Sequence, residues 1–159
     1  MILEKEISDD SRIWIYQAKE EIDAAVLPDL QIELDNFAQQ WVSHSNALRA
    51  QAEVRHNRFL VLMVDESQAG ASGCSIDTSV RFMQNVERKF GLNLFDRMTF
   101  TFEKDGQIHA AERDAFAELY KNGDINDETI VFDNLIKTKG QMQTDWRKKL
   151  GESWHARMV

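Results

Sequence analysis

Apolar residues along this chain fall into short blocks whose spacing changes from block to block, and each spacing predicts an element. Arg12 to Ala18 reads as a strand, because Ile13, Trp14, Ile15 and Tyr16 are consecutive β-branched or aromatic residues. A helix is expected from near Pro28 or Asp29, where proline suits the first turn and the aspartate can cap free N–H groups. Its stripe of Leu30, Leu34, Phe37 and Trp41 lies on one helical face, and the helix is expected to stop around Ser43–Asn46. Ala50, Ala52 and Val54 then alternate with Gln51, Glu53 and Arg55, the pattern of a half-buried strand. His56-Asn57 signals a turn into Phe59 to Val64, an unbroken apolar strand. After a small, polar loop from Asp65 to Gly73, a helix is expected from about Ser75 to Phe90, with Ile76, Val80, Met83, Val86 and Phe90 inward and Gly91 ending it. Met98, Phe100 and Phe102 alternate with Thr99 and Thr101 as another strand, and Asp105-Gly106 turns the chain toward Ile108. A short helix carries Phe116, Leu119 and Tyr120 to Gly123, Thr129 to Phe132 reads as the last strand, and Gln141 to Leu150 as helix.

Up to Glu103 the order is strand, helix, strand, strand, helix, strand. That is the split βαβ, ferredoxin-like arrangement of an α+β fold, an antiparallel sheet with helices on one face. The expected layout is a core at about 11–103 and a C-terminal α/β extension at about 104–159. One proline, seven glycines and no low-complexity run leave no linker, so a single domain over 1–159 is expected. One demand follows from the pattern. A sheet with helices on one face leaves its other face wet, yet Phe59 to Val64 offers that face no polar residue. Either the last fifty-odd residues or a twofold partner, hence a homodimer, must cover it.

Composition narrows the partners. The chain has 159 residues, 43% hydrophobic and 29% charged, with a formal net charge of −8. That balance disfavours binding of nucleic acid or an anionic membrane over the whole surface. No run approaches the roughly 20 apolar residues of a spanning helix. Met1 to Ser11 carries four acidic residues and no apolar core, unlike a secretory signal. The lone cysteine, Cys74, excludes an internal disulfide framework and fits a reducing cytoplasm.

Candidate chemistry concentrates in Ala69-Gly70-Ala71-Ser72-Gly73-Cys74-Ser75-Ile76-Asp77, small residues leading into a helix start. The first N–H groups of a helix have no internal partners, so an anion can rest there. The ligand set would be the N–H groups of Gly73 to Ser75, the Ser72 and Ser75 hydroxyls, Asp77 close by, and Arg97 as a helping cation. The same field favours a reactive thiolate. The split βαβ layout brings His44 and Asp65 to the same end, which gives Cys74 as nucleophile, His44 as base and Asp65 as orienter. The plainer reading, which the residue types favour by themselves, makes Ser72 or Ser75 an N-cap, Asp77 a dipole complement paired with Arg81, and Cys74 a packing residue. No metal and no cofactor is expected. The four histidines are scattered with no second cysteine, and neither a phosphate loop nor a Gly-x-Gly-x-x-Gly is present.

Leu135 to Val159 carries six basic and two acidic residues, a net of +4 that leaves −12 on the rest. With Trp146 and Trp154 among the bases, single-stranded nucleic acid is a further candidate partner. The stronger expectation is a tail docked on its own acidic body.

Arg12-Ile13-Trp14-Ile15-Tyr16-Gln17, Val64-Asp65-Glu66-Ser67, Ser72-Gly73-Cys74-Ser75-Ile76-Asp77, Leu94-Phe95-Asp96-Arg97 and Ser153-Trp154-His155 together resemble a family of small bacterial proteins, found largely in Bacteroidetes, often labelled automatically as ABC transporter ATPases. The resemblance implies one domain and a cytoplasmic location, and brings no catalytic roles. The label does not match the residues, which include no phosphate loop and no Leu-Ser-Gly-Gly-Gln stretch. The expectations in order are a binding domain for a protein partner or a small anionic ligand near Gly73–Asp77, a thiol enzyme using Cys74, and a weak nucleic-acid accessory protein.

Overall fold

A computed structural model describes residues 7–159, so Met1–Glu6 of the acidic N-terminal stretch lie outside the described residues. Strand β1 (Arg12–Gln17) leads to helix α1 (Leu27–Gln40), a small hairpin of β2 (Val42–Ser43) and β3 (Asn46–Ala47), then β4 (Arg49–Arg55) and β5 (Phe59–Asp65). Helix α2 (Gly73–Phe90) follows, and the first sheet is antiparallel in the order β1-β5-β4. This is the split βαβ pairing. Ile13 faces Met63 on one side of β5, and Gln51 faces Met63 on the other.

Helix α1 buries Leu30 and Leu34 of the predicted stripe together with Ala38, leaves Phe37 of that stripe half-buried, and ends at Gln40. Trp41 turns out of the helix at ψ 126°, and its indole N–H donates to the Ser75 carbonyl at 2.9 Å. The segment expected to finish the helix is instead the β2–β3 hairpin. His44 and Ser45 occupy its turn with φ of 51° and 67°, the left-handed pair that suits a two-residue hairpin. Helix α2 also differs from its expected face. Ser75, Ser79, Met83 and Val86 are buried, whereas Ile76, Val80 and Phe90 are half-buried. Two serines on the inner face take little room, and both hydroxyls are satisfied locally, Ser79 Oγ donating to the Ile76 carbonyl at 2.6 Å.

Every residue of β5 is buried. Leu60, Leu62 and Val64 pack toward α1 and α2 with Leu30, Leu34 and Met83. Phe59, Val61 and Met63 pack on the opposite side with Phe132, Ile136, Met142 and Trp146. The cover demanded by the sequence therefore comes from the C-terminal part of the same chain. The need for a cover, which raised the homodimer, is met without a second copy.

The strand expected as fourth in the first sheet departs from the ferredoxin-like plan. It forms β6 (Thr99–Lys104), which heads a second antiparallel sheet in the order β7-β6-β8-β9, with β7 (Gln107–Glu112), β8 (Ile130–Phe132) and β9 (Arg147–Lys149). The outer edge of β1 is already taken. The Ile13 N–H donates to the Lys137 carbonyl at 3.0 Å, and Arg12 bridges to Thr138. At the other end the Gln17 carboxamide donates to the Thr99 carbonyl at 2.9 Å and accepts from Thr101 Oγ1 at 2.8 Å and Asn134 Nδ2 at 2.9 Å. β6 thus meets β1 through one side chain instead of a ladder, and the boundary expected near residue 103 falls inside the second sheet. Helix α3 (Arg113–Lys121) closes over that sheet through Phe116, packed with Phe100 and Phe102. The helix expected over Gln141 to Leu150 is confined to α4 (Lys139–Thr144), because Trp146 leaves the helix to bury its ring against Phe59 and Phe132.

Trp146→Ala is expected to cost about 3–5 kcal/mol in urea unfolding, the usual loss for a buried large aromatic. A loss below about 1 kcal/mol would mean that the second face of β5 is not held by this cover.

Candidate functional site

The start of α2 is built by a reciprocal cap. Ser72 Oγ accepts the Ser75 N–H at 3.2 Å, and Ser75 Oγ accepts the Ser72 N–H at 2.7 Å. The Ile76 N–H donates to the Ser72 carbonyl at 2.9 Å. Both hydroxyls expected to bind a ligand therefore serve the helix itself. Just upstream, the Glu66 carboxylate accepts the Ala71 N–H at 2.9 Å, so the lead-in loop already holds a negative group of its own. Among the described residues the N–H groups of Gly73 and Cys74 have no hydrogen-bond partner. Cys74 is exposed, and a Cβ placed on Gly73 would meet nothing within 4 Å. This end of the helix is open.

Trp41 ties the end of α1 to the first turn of α2, which places the His44 hairpin at the same end of the sheet as Cys74. The three residues expected as a catalytic set are not joined. His44 and Cys74 are both exposed, and no hydrogen bond links their side chains to each other or to Asp65 among the described residues. Asp65 is buried at the end of β5 with its oxygens engaged: Oδ1 accepts the Ser67 N–H at 3.0 Å, and Oδ2 lies 3.5 Å from Arg49. Hydrogen bonds from Ser67, with Arg49 adding, hold its carboxyl below the usual carboxylate range. Ser43, beside His44, has a buried hydroxyl without a partner. Asp77 is exposed on the first turn, and the pairing expected with Arg81 does not form, because Arg81 reaches Thr78 Oγ1 at 3.2 Å. Arg97 is exposed after Asp96, and its charge acts on Tyr16, whose hydroxyl meets Ser79 six residues along the helix from Gly73.

No group of three or more His, Cys, Asp or Glu side chains suited to a metal ion occurs among the described residues. No described helix is long and apolar enough to cross a membrane. Two clefts open on the surface, and neither is lined by Cys74, His44 or Asp65. One, of about 360 Å³, runs between α1 and β4; the other, of about 490 Å³, lies between residues 18–26 and 90–93.

The basic tail is folded into the body. Arg147 forks onto Glu103 at 2.7 and 2.6 Å, Lys148 pairs with Asp133 at 3.0 Å, and Lys149 with Glu128 at 2.8 Å. The Trp146 indole donates to Asn134 and the Trp154 indole to Asp133, each at 2.9 Å. Neither ring is presented for stacking on a base: Trp146 is buried, and Trp154 lies flat on His155 at 3.7 Å. His155 is walled by Phe100 and Phe116 on its other sides and hydrogen-bonds through Nδ1 to Ser153 Oγ at 2.6 Å. Gln17, Asn134 and this Ser153–His155 pair make polar contacts that tie the second sheet and the tail to the rest of the chain. Their spacing in the sequence gave no sign of it.

Comparison with protein-family models, with curated proteins and with solved structures finds no match to this chain.

Burial lowers the His155 pKa to about 4, with Asp133 opposing and Lys148 assisting. The unfolded chain therefore binds a proton that the folded chain refuses, and stability falls with pH from about 6.5, levelling near 4. The expected loss over that window is about 3 kcal/mol in urea unfolding. His155→Phe should remove most of this slope, leaving a smaller one of the same sign from His56, which burial also lowers. An unchanged slope would mean that the ring is not buried neutral.

Proposed function

We propose that this chain is a cytoplasmic binding domain that takes a small anion on the first turn of α2. The observation that carries the reading is the pair of unpartnered N–H groups, Gly73 and Cys74, at the open and positively polarised end of an 18-residue helix. Ser72 and Ser75 hold that turn rigid through the cap and leave those two amides as the donors. Glu66 and Asp77 nearby set a limit on charge, favouring a small monovalent or divalent oxyanion over a polyanion.

The exposure of Cys74 favours a second reading, thiol chemistry at the same turn. With Asp65 engaged elsewhere, a base would have to come from His44 alone or from the substrate. That reading expects alkylation of Cys74 at neutral pH to be faster in the folded protein than in the unfolded chain, and Cys74→Ser to keep the fold and abolish the activity.

Phosphate and sulfate are expected to raise the melting temperature by a few degrees at concentrations about tenfold above Kd. Gly73→Pro should abolish the rise without lowering the melting temperature of the free protein. Proline is at home at the first helical position, and Ser72, at φ −106° and ψ 169°, already has the extended backbone that a following proline requires. A melting temperature indifferent to phosphate, sulfate and nucleotides contradicts the reading, and so does a rise that survives Gly73→Pro.

A further inference from the structure

We infer that Ser43 completes the anion site at the start of α2, as the third donor to a tetrahedral oxyanion such as phosphate. The inference rests on the reading that Gly73 and Cys74 offer their N–H groups to an anion, and it brings a second element to that site. Its starting point is a buried group with nothing to bond. Ser43 is 3% exposed, and its hydroxyl is the one buried side-chain oxygen or nitrogen without a hydrogen-bond partner among the described residues. Other buried serines are satisfied: Ser75 and Ser79 bond within α2, and Ser153 bonds His155. A hydroxyl shut away from water and left unpaired costs stability, so its persistence calls for a partner that arrives from outside the chain.

The alternation of the strand aims this hydroxyl. From Trp41 to His44 the side chains run buried, exposed, buried, exposed. Trp41 and Ser43 therefore share the inward side, and Trp41 shows what that side faces. Its indole N–H reaches the Ser75 carbonyl, in the first turn of α2, at 2.9 Å. Strand β2 itself packs against α2. The Ser43 hydroxyl is thus turned toward the helix start where the Gly73 and Cys74 amides have no partner. Gly73 keeps the approach clear, because nothing lies within 4 Å of where its Cβ would stand. The hairpin that shuts Ser43 in is held by a ladder of two residue pairs, and His44 to Ala47 are exposed. Few contacts oppose the small outward shift that admits an anion.

The directions of the donors set the ligand class. Successive amides of a first helical turn point the same way along the axis, and a halide or the two oxygens of a carboxylate satisfy them. A hydroxyl from the neighbouring hairpin comes from another direction. An anion that meets all three needs oxygens that diverge out of one plane, which a tetrahedral oxyanion has.

Calorimetric titration of the full chain with inorganic phosphate tests the inference on the wild type and on Ser43→Ala. The variant is expected to bind phosphate about tenfold or more weakly, the loss of a hydrogen bond to a charged group. Without phosphate its melting temperature should equal or exceed that of the wild type, because no bond inside the protein is broken. Equal phosphate affinity in the two proteins overturns the inference and leaves the amide reading standing; a buried water as the partner of the hydroxyl would give that result. Phosphate that does not bind the wild type overturns both. A free variant that melts well below the wild type, or does not fold, overturns the inference, since the hydroxyl would then have a partner within the chain. In the wild type, phosphate should shift the amide resonances of Ser43 and His44 together with those of Gly73 and Cys74. Shifts confined to α2 contradict the inference.

Discussion

The fold is organised by β5, whose buried residues Phe59–Asp65 include apolar side chains on both faces. Such a strand cannot sit in a sheet with one wet side, and burying Phe59, Val61 and Met63 is worth roughly 1.5–3 kcal/mol for each side chain. The helices α1 and α2 answer one face. The other draws in Phe132, Ile136, Met142 and Trp146 from the far end of the chain. Once that segment lies under the sheet, its neighbour Lys137 meets the open edge of β1, and β6 is left to found a second sheet. The departure from the ferredoxin-like plan is thus a consequence of the cover.

The same constraint decides what the C-terminal residues are free to do. Asn134 is held between Gln17 and Trp146, and Asp133 between Trp154 and Lys148. These bonds hold the tail in register and occupy both indoles and Lys148, while Arg147 and Lys149 pair with Glu103 and Glu128. What stays open lies at the other end of the first sheet, where α2 begins. There the cap is internal, the thiol is exposed, and two amides face outward.

Much of this was legible in the sequence. The 3-and-4 spacing placed α1, the run Phe59 to Val64 placed a doubly buried strand, and the small residues before Cys74 placed a capped helix start. Three features were hidden, each for a physical reason. His44 and Ser45 adopt left-handed backbone, which their residue types permit without announcing, so the hairpin after α1 read as helix. The inner face of α2 is lined by Ser75 and Ser79, whose hydroxyls are satisfied within the helix and so leave no hydrophobic mark. The junction at Gln17 depends on a carboxamide meeting residues 82 and 117 positions away, a separation no local pattern encodes. The proposed catalytic grouping of Cys74, His44 and Asp65 was inferred from topology alone. Topology brings Cys74 and His44 to one end, but Asp65 is committed to Ser67 and Arg49.

Native-state hydrogen exchange on the full chain tests the central claim most directly, because it reports whether the strand and its distant cover open together. The account predicts that the amides of β5 and those of β8 and Trp146 exchange at the slow, global limit with a common free energy. Fast exchange across residues 130–150 while β5 stays protected would contradict it, for the second face of β5 would then be covered by something other than this chain's own C-terminal segment.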